Sequence, residues 1–224
     1  MIVSLRLQNF RSYADSSFEF EPGVNIIVGP NASGKTTIIE AITTMLGGKS
    51  FKARDYELVR SDAPWARLDV QTENHVRTLK LTDPETTLAK EYTIDGNAYK
   101  RLPSARTLPF VLFEPNDLAL LHGSPEQRRA FIDDILLQIN PTYSTTLRHY
   151  KRVLAQRNAL LKQRTTPTNE QLFVWNLRLS ELGGVIAATR IELLRRFMTT
   201  ISELYSSIAS VKTDITLTYQ SKIQ

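Results

Sequence analysis

The 224-residue chain can form one large domain or two small ones, with the 42% hydrophobic and 23% charged residues of an ordinary globular protein. It has no cysteine and three scattered histidines, which excludes disulfides, thiolate zinc sites and thiol nucleophiles and disfavours a histidine metal centre. No apolar run has the length of a membrane span, and the first residues lack the apolar core of a signal peptide. We therefore expect a cytoplasmic protein.

The net charge of +5 is concentrated in the second half of the chain. Residues 1–121 carry 14 Lys/Arg and 15 Asp/Glu, a net charge of −1, whereas residues 122–224 carry 14 and 8, a net charge of +6. Such a basic excess suits a surface that binds nucleic acid, but solvated helix faces also collect lysine and arginine. Charge alone leaves these two alternatives equal.

The chain opens with two predicted antiparallel strands at 2–7 and 16–20, where apolar and polar side chains alternate. Turn residues separate them at 9–13, and Glu21, Pro22 and Gly23 form a second turn. The β-branched, mostly apolar run 24–28 then predicts a buried parallel strand.

A phosphate-binding loop follows, because residues 29–36 fit the pattern G-x-x-x-x-G-K-[ST] at every fixed position. Glycines allow such a loop to converge its backbone N–H groups on phosphate oxygens, and the next helix points its positive end at the same anion. Lys35 would reach the terminal phosphates, and the Thr36 hydroxyl would bind Mg²⁺. The predicted nucleotide-binding residues are Gly29, Pro30, Asn31, Ala32, Ser33, Gly34, Lys35 and Thr36.

The context of the loop supports this interpretation. Residues 36–46 place apolar side chains at helical spacing, and Gly47 and Gly48 end the pattern. An incidental glycine-rich turn is the alternative, but strand, loop and helix are the arrangement that the motif requires.

The middle of the chain predicts further strands at 65–70, 75–81 and 90–94, a loop at 83–87, and a tight turn at Asp95 and Gly96. Residues 110–113, followed by Glu114, imitate the strand that carries a Walker B carboxylate. We interpret 110–113 instead as a buried central strand, although the Glu114 carboxylate, a hard oxygen ligand, could still reach a bound metal ion.

Long helices are predicted from Ser124 onwards, where a serine cap, Pro125 and Gln127 form a helix-start signal. A second cap signal, Thr168 with Gln171, begins the longest helix. Apolar residues at a spacing of four and three then predict helices that pack as a coiled-coil-like arm, the longest about forty residues or about 60 Å. Residues 215–219 alternate like a final strand. The helical faces are Phe131, Ile135 and Ile139; Tyr143, Leu147, Tyr150, Leu154, Arg157 and Leu161; and Leu172, Trp175, Leu179, Leu182, Ile186, Thr189, Leu193, Phe197, Ile201, Leu204 and Ile208.

Several separate blocks resemble the SMC/RecN/RecF branch of ABC-type ATPases, and within it the RecF family. They are the opening 5–13, the turn 22–25, the phosphate-binding loop, the stretch 40–42 after it, and the blocks 48–55, 111–118, 123–133 and 150–162. The resemblance implies an α/β P-loop NTPase fold with an antiparallel β-subdomain and a long-helix lobe. Residues 1–121 would be the N-terminal half of an ABC-type ATPase head, 122–210 the helical lobe, and 211–224 the start of a return strand, so that the C-terminal portion is missing.

The resemblance also implies what such a protein does. The family binds ATP and Mg²⁺, dimerises in an ATP-dependent way on DNA at single-strand/duplex junctions, and works with RecO and RecR to load RecA in DNA replication, DNA repair and the SOS response to DNA damage. It places Arg11 and Ser12 beside the nucleotide. Charge suggests as DNA-contacting candidates Arg128, Arg129, Arg148, Lys151, Arg152 and Arg157, although Arg128 and Arg129 could instead pair with Asp133 and Asp134.

The sequence shows no Walker B carboxylates and no LSGG-type signature. We therefore assign no catalytic residue and expect this chain by itself to bind nucleotide weakly, without appreciable hydrolysis. The alternatives are another SMC, RecN-like or Rad50-like head fragment, a nucleotide kinase, or a non-catalytic DNA-binding fragment whose loop is vestigial.

Overall fold

The computed structural model describes residues 1–82, 89–162, 168–211 and 213–220. They form two compact units, Met1–Glu114 and Pro115–Gln224. The predicted loop at 83–87 lies outside the described residues. None of the helices in the described ranges is long and apolar enough to cross a membrane.

The first unit is built on one six-stranded sheet in the order β2-β1-β3-β4-β5-β6, in which every neighbouring pair is antiparallel. Pairing of β1 with β3 joins the opening hairpin to the later strands. The strands are β1 Ile2–Phe10, β2 Tyr13–Glu19, β3 Trp65–Thr72, β4 Val76–Thr82, β5 Ala89–Ile94 and β6 Asn97–Tyr99.

One face of this sheet is apolar because the side chains alternate with the two-residue period of a strand. Helix α1, Lys35–Gly47, covers that face and adds Ile38, Ala41 and Met45 to the core. Core residues contributed by the strands are Leu5, Leu7, Phe10, Ala66, Leu68, Val70, Leu79, Leu81 and Tyr92.

The predicted strands at 2–7, 16–20, 65–70, 75–81 and 90–94 are confirmed, as is the first helix. The tight turn is also confirmed, since Asp95 and Gly96 both have positive φ values of 49° and 82°. The short strand β6 was not predicted, because its three residues carry no alternating apolar pattern.

The predicted buried parallel strand at 24–28 is wrong. These residues belong to no strand, and Val24, Ile26 and Val28 are 87%, 81% and 82% exposed. A parallel strand is buried by neighbours on both sides. The edges of the described sheet are β2 and β6, and 24–28 pairs with neither.

The predicted central strand at 110–113 is wrong for the same reason. These residues also lie outside every strand of the described sheet, and Val111 and Phe113 are 97% and 76% exposed. Phe110 lies against the end of α1, where a Cβ on Gly47 would come within 2.9 Å of its ring. The run therefore meets the helix through Phe110, whereas Val111 and Phe113 face solvent.

The second unit is helical. Its helices are α2 Ala119–His122, α3 Pro125–Ile139, α4 Pro141–Leu161 and α5 Asn169–Ala209. Ser124 and Thr168 both form reciprocal capping boxes, which confirms the predicted helix starts. Helix α5 has 41 residues, so the predicted helix length of about 60 Å is confirmed.

The helices pack through a core of Leu136, Tyr143, Leu147, Ile186 and Leu193. The predicted seams of α4 and α5 supply most of it. Two parts of the prediction are wrong. On α3 the buried face is centred on Leu136, so Phe131 and Ile139 are 41% and 54% exposed. Near the end of α5, Leu204 and Ile208 are 60% and 84% exposed.

The last described segment, 213–220, has no regular secondary structure and belongs to no sheet, so the predicted strand at 215–219 is wrong. Its backbone bonds to a side chain instead, because the Ile215 amide donates to Ser202 Oγ at 2.9 Å. The alternation reflects packing in the helical unit, since Ile215, Leu217 and Tyr219 are half-buried.

A largely buried ion pair ties the helical unit together. Arg190 of α5 donates from Nε and Nη2 to the two carboxylate oxygens of Asp133 on α3, each at 2.8 Å. The hydroxyl of Tyr143 on α4 donates to the same carboxylate, and Arg190 Nη1 also donates to Tyr219 at 3.2 Å. Burial, reinforced by the bond to Asp133, raises the pKa of Tyr143. One carboxylate therefore connects three helices.

We expect Asp133→Asn to lower the free energy of unfolding by about 3 kcal/mol, because it leaves the Arg190 charge buried without its partner. Asp134→Asn is the matched control, since Asp134 is the exposed neighbour. Urea denaturation of both variants measures the difference. Equal stability of the two would contradict the role of the ion pair.

Candidate nucleotide-binding site

The predicted phosphate-binding residues form one continuous turn that leads directly into α1. Residues 30–34 bend and turn, and the Ser33 amide donates to the Pro30 carbonyl at 3.3 Å. Ala32 and Gly34 have positive φ values of 64° and 93°. A left-handed alanine is uncommon, so the turn is held in a demanding backbone conformation.

The first amides of α1 are available to a ligand. Gly34 is the N-cap and supplies no side-chain acceptor, and no acidic residue lies in the first turn. The first four N–H groups of a helix have no intrahelical acceptor, and they lie at the positive end of its dipole. This end of α1 therefore suits an anion such as a phosphate.

Lys35 folds back over the loop. Its Nζ donates to the carbonyls of Gly29 and Pro30 at 2.8 and 2.6 Å. These bonds hold the ammonium at the turn, where its positive charge lies beside the free amides at the start of α1. Thr36 is exposed on the next position of the helix.

Tyr13 explains why the second glycine of the loop cannot carry a side chain. A Cβ on Gly34 would lie 2.7 Å from the Tyr13 hydroxyl and 2.8 Å from its ring. The ring meets Phe18 edge-on at 5.5 Å, and burial raises the pKa of Tyr13. Strand β2 thus packs directly against the loop.

Arg11 and Ser12, the other predicted nucleotide-binding residues, occupy the turn between β1 and β2. Arg11 has a positive φ of 53°, and its amide donates to the Leu58 carbonyl at 2.9 Å. Its guanidinium donates to both oxygens of Glu40 on α1, at 3.1 and 3.0 Å. The hairpin turn is thereby fixed to the helix that follows the loop.

A cavity of about 370 Å³ lies between this turn and α1. Arg11 and Ser12 line one wall, Thr37 and Glu40 of α1 another, and Lys52 a third. The segment 57–61 completes the lining with Glu57, Val59 and Ser61. Thr37 is the residue after Thr36, so the cavity adjoins the loop. The structure therefore brings the two groups of predicted residues to the same part of α1.

Sequence reasoning missed Tyr13, Glu40 and Lys52 as parts of this site. Tyr13 and Glu40 stand within blocks that carry the family resemblance, but nothing in their spacing indicates that they face the loop or Arg11. Their contacts depend on the packing of α1 against the β1–β2 hairpin, which no local pattern encodes.

Among the basic candidates of the second unit, some already have protein partners. Arg128 Nη1 donates to the Gly123 carbonyl at 2.9 Å, and Arg157 Nε donates to Asn176 at 2.7 Å. The suggested pairing of Arg128 and Arg129 with Asp133 and Asp134 is wrong: none of these ion pairs forms within the described part of the chain, and Asp133 binds Arg190 instead. Arg148, Lys151 and Arg152 are exposed on one face of α4.

The loop and its helix define a P-loop nucleotide-binding domain. A family model described as an AAA domain matches residues 4–166, and the chain belongs to this family. It is similar to DNA replication and repair protein RecF of Halalkalibacterium halodurans, with 34% identity over 99% of this chain and 61% of that protein. RecF of Salinibacter ruber is also 34% identical, over 98% of this chain and 55% of its own length.

The comparison with solved structures shows the same similarity to RecF. The recombination mediator protein RecF with ATP in the RecFOR pathway has a TM-score of 0.78 and 26% identity over 94% of this chain and 58% of that one. A related RecF structure has a TM-score of 0.81 over 95% and 59%. The predicted fold class and the resemblance to the RecF family are confirmed, and the chain spans roughly three-fifths of these relatives' length.

We expect Gly34→Ala to lower the free energy of unfolding by about 2 kcal/mol, because alanine is strained at this positive φ and its methyl group meets Tyr13. Gly184→Ala is a control in which we expect a change of the opposite sign. Gly184 lies inside α5, and a methyl group added there would meet no atom within 4 Å, so alanine should stabilise the helix by about 0.5–1 kcal/mol. Denaturant titration of both variants tests the sign of each change. A neutral Gly34→Ala variant would contradict the close packing of Tyr13.

Proposed function

We propose that this chain is the nucleotide-binding part of a RecF-like recombination mediator that acts on DNA. The observation that carries this proposal is the turn at 30–34 that leads directly into α1. There the uncapped helix amides and the Lys35 ammonium lie together at the start of the helix. The similarity to RecF proteins, including a structure described with ATP, supports ATP as the ligand.

ATP would bind with its phosphates on Gly29, Pro30, Asn31, Ala32, Ser33, Gly34 and Lys35, and with Arg11 and Ser12 beside it. Mg²⁺ would be held by the Thr36 hydroxyl together with phosphate oxygens, since a hard cation prefers oxygen ligands. Within the described ranges no three His, Asp or Glu side chains form a cluster for a metal ion.

Nucleotide-dependent dimerisation would need contacts that differ between the open and closed states. Two apolar segments of the first unit, 24–28 and 110–113, expose side chains that a parallel sheet would bury. The matched relatives are longer than this chain. We propose that the complete ATP cycle uses the additional part of the relatives, and that this chain alone binds ATP weakly.

DNA would be the second ligand. The exposed basic face of α4 and the net charge of +6 on residues 122–224 support contacts with phosphates. By analogy with the RecFOR pathway, RecO and RecR would be protein partners, single-strand/duplex junctions the DNA substrate, and RecA loading the outcome. A DNA-binding protein with a vestigial loop is the competing function.

We expect Lys35→Ala to weaken ATP binding at least tenfold while the fold is retained, because it removes the ammonium above the turn. Lys49→Ala is the matched control, since Lys49 is an exposed lysine just beyond α1. Titration with a fluorescent ATP analogue in the presence of Mg²⁺ measures both affinities. Unchanged affinity in the Lys35 variant would favour the vestigial loop.

For DNA, replacing Arg148, Lys151 and Arg152 together with glutamine should weaken binding and reduce the slope of log K against log salt concentration by about three. A control with the same charge change replaces Lys80, Lys100 and Arg101, which are exposed in the first unit. Fluorescence anisotropy with a gapped duplex, with and without ATP, measures the slopes. If both triple variants lose the same affinity, α4 is not the DNA surface.

A further inference from the structure

Glu40 is a buried carboxylate on the apolar face of α1. It is 1% exposed and lies between Ile38 and Ala41, both of which belong to the core. A carboxylate in such a place is costly unless it is paired and hydrogen-bonded. Glu40 receives three hydrogen bonds, two from Arg11 and one from the hydroxyl of Ser50.

The two hydrogen bonds from Arg11 to Glu40 fix the orientation of the Arg11 side chain and also hold the turn between β1 and β2 against α1. Arg11 uses Nε and Nη2 on the two oxygens of Glu40, in the paired geometry that a planar guanidinium favours. A guanidinium has five N–H donors, and these bonds use two of them. Arg11 also lines the cavity, with its side chain 26% exposed, so its other donors are available to a ligand there.

The bond from Ser50 extends the arrangement to a second wall. Ser50 Oγ accepts from the amides of Lys52 and Ala53, each at 3.0 Å. It thereby shapes the turn that presents Lys52 to the cavity. Glu40 therefore connects the hairpin turn, its own helix and the turn at 50–53, which are three of the four segments that line the cavity.

We infer that Glu40 is a positioning residue of the nucleotide site, which holds Arg11 and Lys52 in the orientation in which they meet ATP bound on the loop. The inference rests on the proposed function. Its physical basis is preorganisation: side chains that are already ordered lose less conformational entropy when the ligand binds. Glu40 itself does not touch the nucleotide and acts through Arg11 and through Ser50.

A double-mutant cycle separates positioning from a purely structural role. Glu40→Gln keeps the size of the side chain, but one carboxylate oxygen becomes an NH₂ group. This group is itself a donor, so it cannot accept a hydrogen bond from Arg11. We expect this variant to bind a fluorescent ATP analogue about tenfold more weakly, and Arg11→Met to lose at least as much. Because Glu40 acts largely through Arg11, adding Glu40→Gln to Arg11→Met should cost much less than tenfold. A full tenfold loss in both backgrounds would overturn the inference.

Two further variants keep the test decisive. Glu91→Gln makes the same chemical change on an exposed strand residue and should leave ATP affinity unchanged. If Glu40→Gln does not fold, Arg11→Lys carries the test, since lysine keeps the charge but cannot make the paired contact. We expect it to bind ATP about tenfold more weakly, and wild-type affinity would overturn the inference. If the wild-type chain itself does not bind ATP, the proposed function fails as well. If the wild-type chain binds ATP and neither Glu40→Gln nor Arg11→Lys changes the affinity, the positioning role is overturned while the proposed function stands.

Discussion

The packing of α1 against the apolar face of the antiparallel sheet is the interaction on which the first unit depends. Ile38, Ala41 and Met45 enter a core formed by four strands, so the start of the helix is fixed relative to β1 and β2. The loop at 29–36 has few contacts of its own and is exposed. It has a defined geometry because the helix at its end and Tyr13 at its side are both anchored.

Buried charge has a different role in each part of the molecule. In the helical unit, Asp133 and Arg190 satisfy each other and bring three helices together. In the first unit, Glu40 is buried within an apolar face and its partner lies at the edge of a cavity. The first arrangement specifies helix packing, whereas the second orders groups that remain partly accessible. Burial alone therefore does not distinguish a structural ion pair from a positioning one.

Arg77 is a third buried charge, and it differs from both of these ion pairs. It is 2% exposed on the apolar face of β4, and its Nε and Nη1 have no hydrogen-bond partner among the described residues. Burial lowers its pKa, although the charge of Asp95 opposes this effect. A buried guanidinium with unsatisfied donors costs stability, so the large apolar core around it must offset that cost.

Local chemistry was enough to predict many elements from the sequence. The fixed positions of the phosphate-binding loop, the capping boxes at Ser124 and Thr168, and the alternation in β1, β3 and β4 each act over a few residues. Strand partners were not predictable in this way. Residues 24–28, 110–113 and 215–219 have the composition of strands, but a strand exists only where another backbone supplies its hydrogen bonds. The contacts of Tyr13, Glu40 and Lys52 were likewise decided by the tertiary structure, because they join residues that are distant along the chain and meet only after α1 packs on the sheet.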